Sequence, residues 1–138
     1  MTLTLPPDYK PSEKDEFMNE HQLEYFRRKL LQWRLELLEE AHETRTHLQE
    51  NSLLEPDVGD RATVETGHSL ELRTRDRARK LIFKIDEALE RIEDGSYGYC
   101  EETDEPIEIK RLEARPIATL SLEAQERHER MEKTQRGD

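Results

Sequence analysis

The chain has 138 residues, 40% of them charged and only 33% hydrophobic, with a formal net charge of −11 at neutral pH. So small an apolar fraction excludes a large globular core, and the acidic balance argues against a partner held by long-range attraction to nucleic-acid phosphates. One cysteine excludes an internal disulfide framework, and no apolar run is long enough to span a bilayer. With no charged-then-apolar leader either, the expectation is a cytoplasmic protein whose partner is another protein.

Residues 1–19 carry Pro6, Pro7 and Pro11 among polar residues and read as an irregular arm. Leu3, Leu5, Tyr9 and Phe17 are the side chains suited to dock it on a globular lobe, and Asn19 is suited to cap the next element. From 20 to 49 the pattern is helical. Leu23, Phe26, Leu30, Trp33 and Leu37 step by three and four, the seam of a coiled coil, while Leu31 and Leu38 widen the stripe and suggest a third element against it. Pro56 and Gly59 break the pattern, and a second helix is predicted over 61–93 with Ala78, Leu81, Ile85, Ala88 and Ile92 as its seam. Asp94-Gly95 stops it.

Two helices of similar length joined by a short turn predict an antiparallel coiled-coil hairpin over 20–93, with its tip near 51–62. At about 1.5 Å per residue the hairpin is about 45 Å long. A hairpin that fills its own seam needs no partner chain, so a monomer is expected. The seam is apolar at one end, whereas the distal half carries Thr63, Glu65, Thr66, His68, Glu71 and Thr74. A stable base with a polar end suits a projecting probe; a solvated coiled coil with no function at its tip is equally compatible with the pattern.

Residues 94–138 change character. Pro106, the alternation of Ile107 and Ile109, and Pro116 suggest turns and a small hairpin, followed by a charged helix over 121–133. The run Tyr97-Gly98-Tyr99-Cys100-Glu101-Glu102-Thr103, with Arg111-Leu112-Glu113-Ala114-Arg115-Pro116 beyond it, has the frame of a four-cysteine zinc module. Its four ligand positions read Cys100, Thr103, Ser121 and Ala124. One thiolate cannot satisfy tetrahedral zinc, so the lobe is expected to fold without metal, packed on Tyr97, Tyr99, Ile107, Leu112, Ile117 and Leu120. The predicted fold is therefore mainly α: the hairpin, and a small lobe built from a degenerate zinc-finger-like module, the N-terminal arm and a C-terminal helix.

Few groupings suggest chemistry. Asp57 and Asp60 could hold magnesium or act as acid and base; solvation, with Asp60 capping the helix at Arg61, explains them as simply. Arg73, Arg75, Arg77, Arg79, Lys80 and Lys84 form a basic run fit for a phosphorylated ligand or an acidic partner surface, with Arg111 and Arg115 as candidates to join it; the alternative is charge balance against Glu36, Glu39, Glu40 and Glu43. His42, His47 and His68 make no ligand set. Cys100 reads as a buried inert thiol or a redox sensor. No phosphate loop or nucleophile motif is present, so no enzyme is expected.

Five stretches taken together resemble the DksA family of bacterial RNA polymerase-binding transcription factors: MNEHQLEYFRRKLLQWR at 18–34, DVGDRA at 57–62, SLELRTRDRARKLIFKI at 69–85, DGSYGYCE at 94–101 and IKRLEARP at 109–116. The resemblance implies a hairpin that enters the polymerase secondary channel, with Asp57, Asp60 and Ala62 as the functional tip near the catalytic centre. It implies altered stability of promoter complexes, inhibiting ribosomal RNA promoters and assisting some others, without RNA cleavage. It also implies the alarmone ppGpp as co-regulator, lined by Arg77, Leu81, Lys84 and Arg115. The family has a further basic residue where this chain has Gln125; losing one charge-assisted phosphate contact costs about 1.5–3 kcal/mol, so weaker alarmone binding is expected. The missing ligands imply a cysteine-poor, zinc-independent member, without sequence-specific DNA binding and without a membrane. The competing reading is a coiled-coil adaptor that lacks polymerase activity.

Overall fold

The computed structural model describes the backbone of residues 4–53 and 58–136, and the side chains of these except at 44, 45, 47–53, 58–66, 68 and 136. Among the described residues four helices follow in chain order: α1 (Glu20–Leu53), α2 (Val58–Asp94), α3 (Ile109–Ala114) and α4 (Leu122–Arg136). The chain divides into two compact units. One comprises Met1–Leu30 with Glu87–Asp138, and the other Leu31–Asp86.

The start of α1 follows from local chemistry. Asn19 Oδ1 accepts the Gln22 N–H at 2.9 Å, and Gln22 Oε1 reaches back to the Met18 N–H at 2.7 Å. Two backbone donors that the first helical turn cannot pair are thereby satisfied reciprocally. The same amide donates Nε2 to the Ser12 carbonyl at 3.0 Å, so fully buried Gln22 also ties down the preceding arm. At the far end of α2, Gly95 adopts a φ of +87°, and the N–H groups of Gly95, Ser96 and Tyr97 converge on the Arg91 carbonyl. A left-handed residue closes the helix as the Asp94-Gly95 pair predicts.

In the unit Leu31–Asp86, Leu37, Ala78 and Ile85 are buried, all three on the predicted seams. Arg34 Nε meets Asp86 Oδ1 at 2.8 Å and fixes the register of the two helices. Leu31 and Leu38 are exposed, so the wider stripe on α1 does not meet a third element within this unit. The second helix begins at Val58, three residues ahead of the expected start, and takes Gly59 and Asp60 into its first turn. Asp60 is therefore not the residue that caps it; glycine adopts helical angles at a cost of only about 1 kcal/mol, too little to hold the boundary back. Residues 54–57, including Pro56, lie outside the described residues.

The other unit has a core of Phe26, Leu30, Ala88, Tyr97, Cys100, Ile107, Ile109, Leu112, Ile117, Ala118 and Ala124. Phe26 packs against Tyr97 with ring centroids 5.7 Å apart, and the Tyr97 hydroxyl donates to the Pro116 carbonyl at 2.8 Å. Tyr9 lies against the rings of His21 and Tyr25, and Phe17 meets Tyr99 edge-on at 5.3 Å. Gly98, at a φ of +90°, lies under Met18, whose Cε would be 3.1 Å from any added Cβ. The positive φ strains any other residue there, and an added Cβ would also push the Met18 and Phe17 side chains aside. Lys29 pairs with Glu113 at 3.1 Å, linking α1 to α3.

The expected small hairpin is reduced to a single antiparallel bridge between Tyr99 and Pro106. Ile109 opens the short helix α3 in place of a strand. Its alternation with Ile107 is coincidental, because both are buried from different local geometries and a period of two over three residues cannot tell them apart.

Candidate functional site

The zinc-like frame keeps its turn. The Cys100 N–H donates to the Glu105 carbonyl at 2.8 Å, the Asp104 N–H returns to the Cys100 carbonyl at 2.9 Å, and Ile107 N–H reaches Gly98 O at 2.7 Å. Asp104 takes a φ of 60° to close this loop. The Glu101 N–H then bonds the Thr119 carbonyl at 2.9 Å, bringing the loop beside the segment that leads into α4. Ser121 Oγ accepts the Ala124 N–H at 3.2 Å and so serves as the N-cap of α4. Ala124 itself is fully buried.

Among the four frame positions only Cys100 offers a strong metal donor. Burial raises its thiol pKa, but hydrogen bonds from the Thr103 hydroxyl and the backbone N–H groups of Ser121, Thr103 and Glu102 outweigh burial and bring it down to about 6. The donors that would surround a metal-bound sulfur thus hold a bare one. Thr103 spends its hydroxyl on that sulfur, Ser121 spends its own on a helix cap, and Ala124 contributes a methyl group. These residues do not fit tetrahedral zinc. Among the described residues no group of three or more His, Cys, Asp and Glu side chains could hold a metal ion.

His128 on α4 pairs with Glu102 of this loop. Nothing in the sequence signals it, because the partners lie far apart in the chain. The three backbone donors around Cys100 escape sequence reading for a different reason: main-chain N–H groups carry no residue code.

Of the expected tip residues, Asp60 and Ala62 fall in the first turns of α2, whereas Asp57 lies outside the described residues. Arg77 and Lys84 are exposed on α2 with half-buried Leu81 between them, spaced four and three apart so that they share one face. Arg115 is exposed in the other unit, just past α3, where its N–H caps the helix on the Arg111 carbonyl at 2.8 Å. Arg111 is committed elsewhere: its Nε donates to the Leu120 carbonyl at 2.9 Å. Half-buried Gln125 donates its amide to Glu129 at 3.3 Å.

A paired-helix unit, and a lobe on a zinc-finger frame that lacks the ligands, define the class as a helical-hairpin protein with a zinc-finger-like lobe. Residues 22–92 match the family described as DnaK suppressor protein DksA, N-terminal domain, and residues 95–130 match the prokaryotic dksA/traR C4-type zinc finger. A relative from Caulobacter vibrioides, named RNA polymerase-binding transcription factor DksA, is 63% identical over 131 residues, covering 95% of this chain and 92% of its own. The protein of the same name from Escherichia coli strain K12 is 48% identical, covering 96% and 86%. The solved structure of transcription factor DksA2 from Pseudomonas aeruginosa superposes with a TM-score of 0.81 at 41% identity, over 87% of this chain and 94% of that one. The chain belongs to the DksA family.

Proposed function

We propose that this protein regulates transcription by binding RNA polymerase, entering the secondary channel with the hairpin formed by α1 and α2, and altering promoter open-complex stability together with ppGpp. The observation that carries the reading is the near full-length identity to relatives named as RNA polymerase-binding transcription factors. Within it, Asp57, Asp60 and Ala62 act near the polymerase catalytic centre. Arg77, Leu81, Lys84 and Arg115 receive the alarmone, the cationic groups binding its phosphates and Leu81 packing on the face of its guanine base. The protein is a cytoplasmic regulator and not an enzyme; among the described residues no helix is long and apolar enough to cross a membrane.

The lobe works without zinc. The C4 family frame is matched in sequence, but Thr103, Ser121 and Ala124 replace thiolates with a hydroxyl donor, a helix cap and a packed methyl. Structural zinc would supply roughly 10–16 kcal/mol of apparent binding free energy to a small module, and here the aromatic and aliphatic core takes that part.

Asp60→Asn tests the tip. It removes one negative charge while conserving shape, so polymerase binding should persist while inhibition of a ribosomal RNA promoter falls at least about tenfold in potency. Unchanged inhibition would show that the tip carboxylate has no part in it. Loss of polymerase binding by the unmodified protein would leave the adaptor reading in place.

A further inference from the structure

Between the N-terminal arm and the start of α3 lies an open groove of about 420 Å³, whose apolar lining is Phe17, Ile107 and Ile109 and whose charged lining is Glu13, Asp15, Glu108 and Lys110. Pockets that hold a ligand span about 300–1,000 Å³, so the groove is of sufficient size. Both of its walls are fixed by contacts within the lobe. On the arm, the Ser12 carbonyl accepts Gln22 Nε2 at 3.0 Å and the Asp15 N–H at 3.2 Å, and Phe17 meets Tyr99 edge-on. On the other wall, Ile107 and Ile109 are buried, and the Ile107 N–H holds the Gly98 carbonyl. Glu108 stands at the N-cap of α3, yet its side chain does not cap the helix. Among the described residues, the carboxylates of Glu13, Asp15 and Glu108 make no hydrogen bond or ion pair. The segment leading into α3 also leaves a backbone edge open. The Glu105 carbonyl and the Ile107 N–H face the Gly98–Cys100 segment, across the bridge of Tyr99 with Pro106. Antiparallel pairing alternates along a strand, so the Pro106 carbonyl and the Glu108 N–H face the opposite way. Neither is hydrogen-bonded among the described residues.

We propose that this groove receives an extended basic segment of a partner protein, which pairs its backbone with the open edge at Pro106 and Glu108 and sets Lys or Arg side chains among the three carboxylates. The charges choose the occupant. Three carboxylates against one ammonium leave the lining negative, so an acidic or phosphorylated partner is repelled. The apolar residues choose the kind of cation. Lys and Arg lay aliphatic stems along apolar surface and keep their charged heads at its border, which matches Phe17 and the two isoleucines with acids around them. The open edge chooses a peptide, because a strand added to an edge is held by main-chain hydrogen bonds. A free polyamine would match the charges but has no peptide groups to offer that edge. Glu13, Asp15 and Glu108 are exposed, so each charge contributes modestly, and binding is weak and sensitive to salt. The groove shares no residue with Arg77, Leu81, Lys84 and Arg115, and the inference stands whether or not the protein binds polymerase.

The test is fluorescence anisotropy of a labelled octapeptide of alternating lysine and valine, titrated with the full chain up to millimolar concentration at low salt. The peptide should bind, and amide shifts in the nuclear magnetic resonance spectrum should move chiefly at 12–17 and 106–110. Glu108→Gln and the pair Glu13→Gln with Asp15→Asn should each weaken binding at least about threefold, while Lys110→Gln strengthens it. Glu132→Gln, an equal charge change on exposed α4, should leave it unaltered. These positions are all exposed, so the circular dichroism spectrum and melting temperature should stay those of the unmodified chain. The same peptide with its backbone N–H groups methylated should bind at least about threefold more weakly, and spermidine at equal charge should not displace the parent peptide. Absence of binding would overturn the proposal. So would binding that Glu132→Gln weakens as much as Glu108→Gln does, and so would displacement by spermidine as effective as by unlabelled peptide, which would mean attraction to negative charge alone.

Discussion

Burial alone would lift the Cys100 thiol above its ordinary pKa, yet four hydrogen-bond donors bring it to about 6. The sign of the consequence follows from that lowering. Because the folded value lies below the unfolded thiol's value of about 8.5, the thiolate adds stability that is complete above that value and is lost as pH falls to about 6. Ultraviolet absorbance of the thiolate should therefore titrate near 6 in the folded protein, and Cys100→Ala should destabilise the chain more at pH 8 than at pH 5. A transition near the ordinary thiol value would contradict this account of the donors. Glu24 is a second charged group whose environment decides its state. The Arg27 hydrogen bonds lower its carboxyl against the opposing effect of burial, and with Arg28 they hold it at about 2. Its contribution is thus present above the usual carboxylate range and is lost as pH falls through about 2. Glu24→Gln should cost about 1–3 kcal/mol at neutral pH, measured by urea unfolding, with the difference from the unmodified chain vanishing in strong acid. Neither environment is legible in the residue letters: the donors to Cys100 are mainly backbone, and Glu24 occupies a position where helical charge is ordinarily solvated.

At the scale of the element, seam spacing placed the two long helices, and Asn19 and Gly95 placed two of their four ends. Both are steric or hydrogen-bonding signals confined to a few adjacent residues, which is why they can be read locally. The start of α2 was not legible, because Gly59 breaks a helix only mildly and the turn residues on either side compete with it. The short helix α3 was hidden for a related reason. Six residues hold less than two turns, and IKRLEA carries only Ile109 and Leu112 on a buried face. A buried polar tether in the lobe runs from the Tyr97 hydroxyl to the Pro116 carbonyl. Tyr97→Phe keeps the ring in contact with Phe26 but leaves that buried carbonyl unpaired, so it should destabilise the protein by about 1–2 kcal/mol in chemical denaturation. An unchanged midpoint would mean that the carbonyl finds another donor.

For the whole molecule, composition and charge excluded a nucleic-acid-steered protein and a large core; among the described residues the buried side chains divide between the helix seams, with Phe26, Leu30, Leu37, Ala78, Ile85 and Ala88, and the lobe around Tyr97, Ile107 and Leu112. The candidate site was partly legible. The four frame positions could be found by their spacing around Cys100, and the structure adds what each substitute does: a donor to sulfur, a helix cap and a packed methyl. The tip residues were legible only by resemblance, since two acids near a turn have no distinctive spacing of their own. Leu31 and Leu38 were visible in the sequence as a widened stripe, but periodicity cannot say whether such a stripe is covered, and both are exposed.

These scales meet in one claim, that a lobe without zinc ligands supports regulation of RNA polymerase. The most direct test is transcription in vitro from a ribosomal RNA promoter with purified polymerase, with and without ppGpp, using protein exhaustively treated with a chelator. The account predicts inhibition that is unchanged by the chelator and strengthened by ppGpp, with folding intact by circular dichroism. Inhibition abolished by the chelator and restored by added zinc would contradict it.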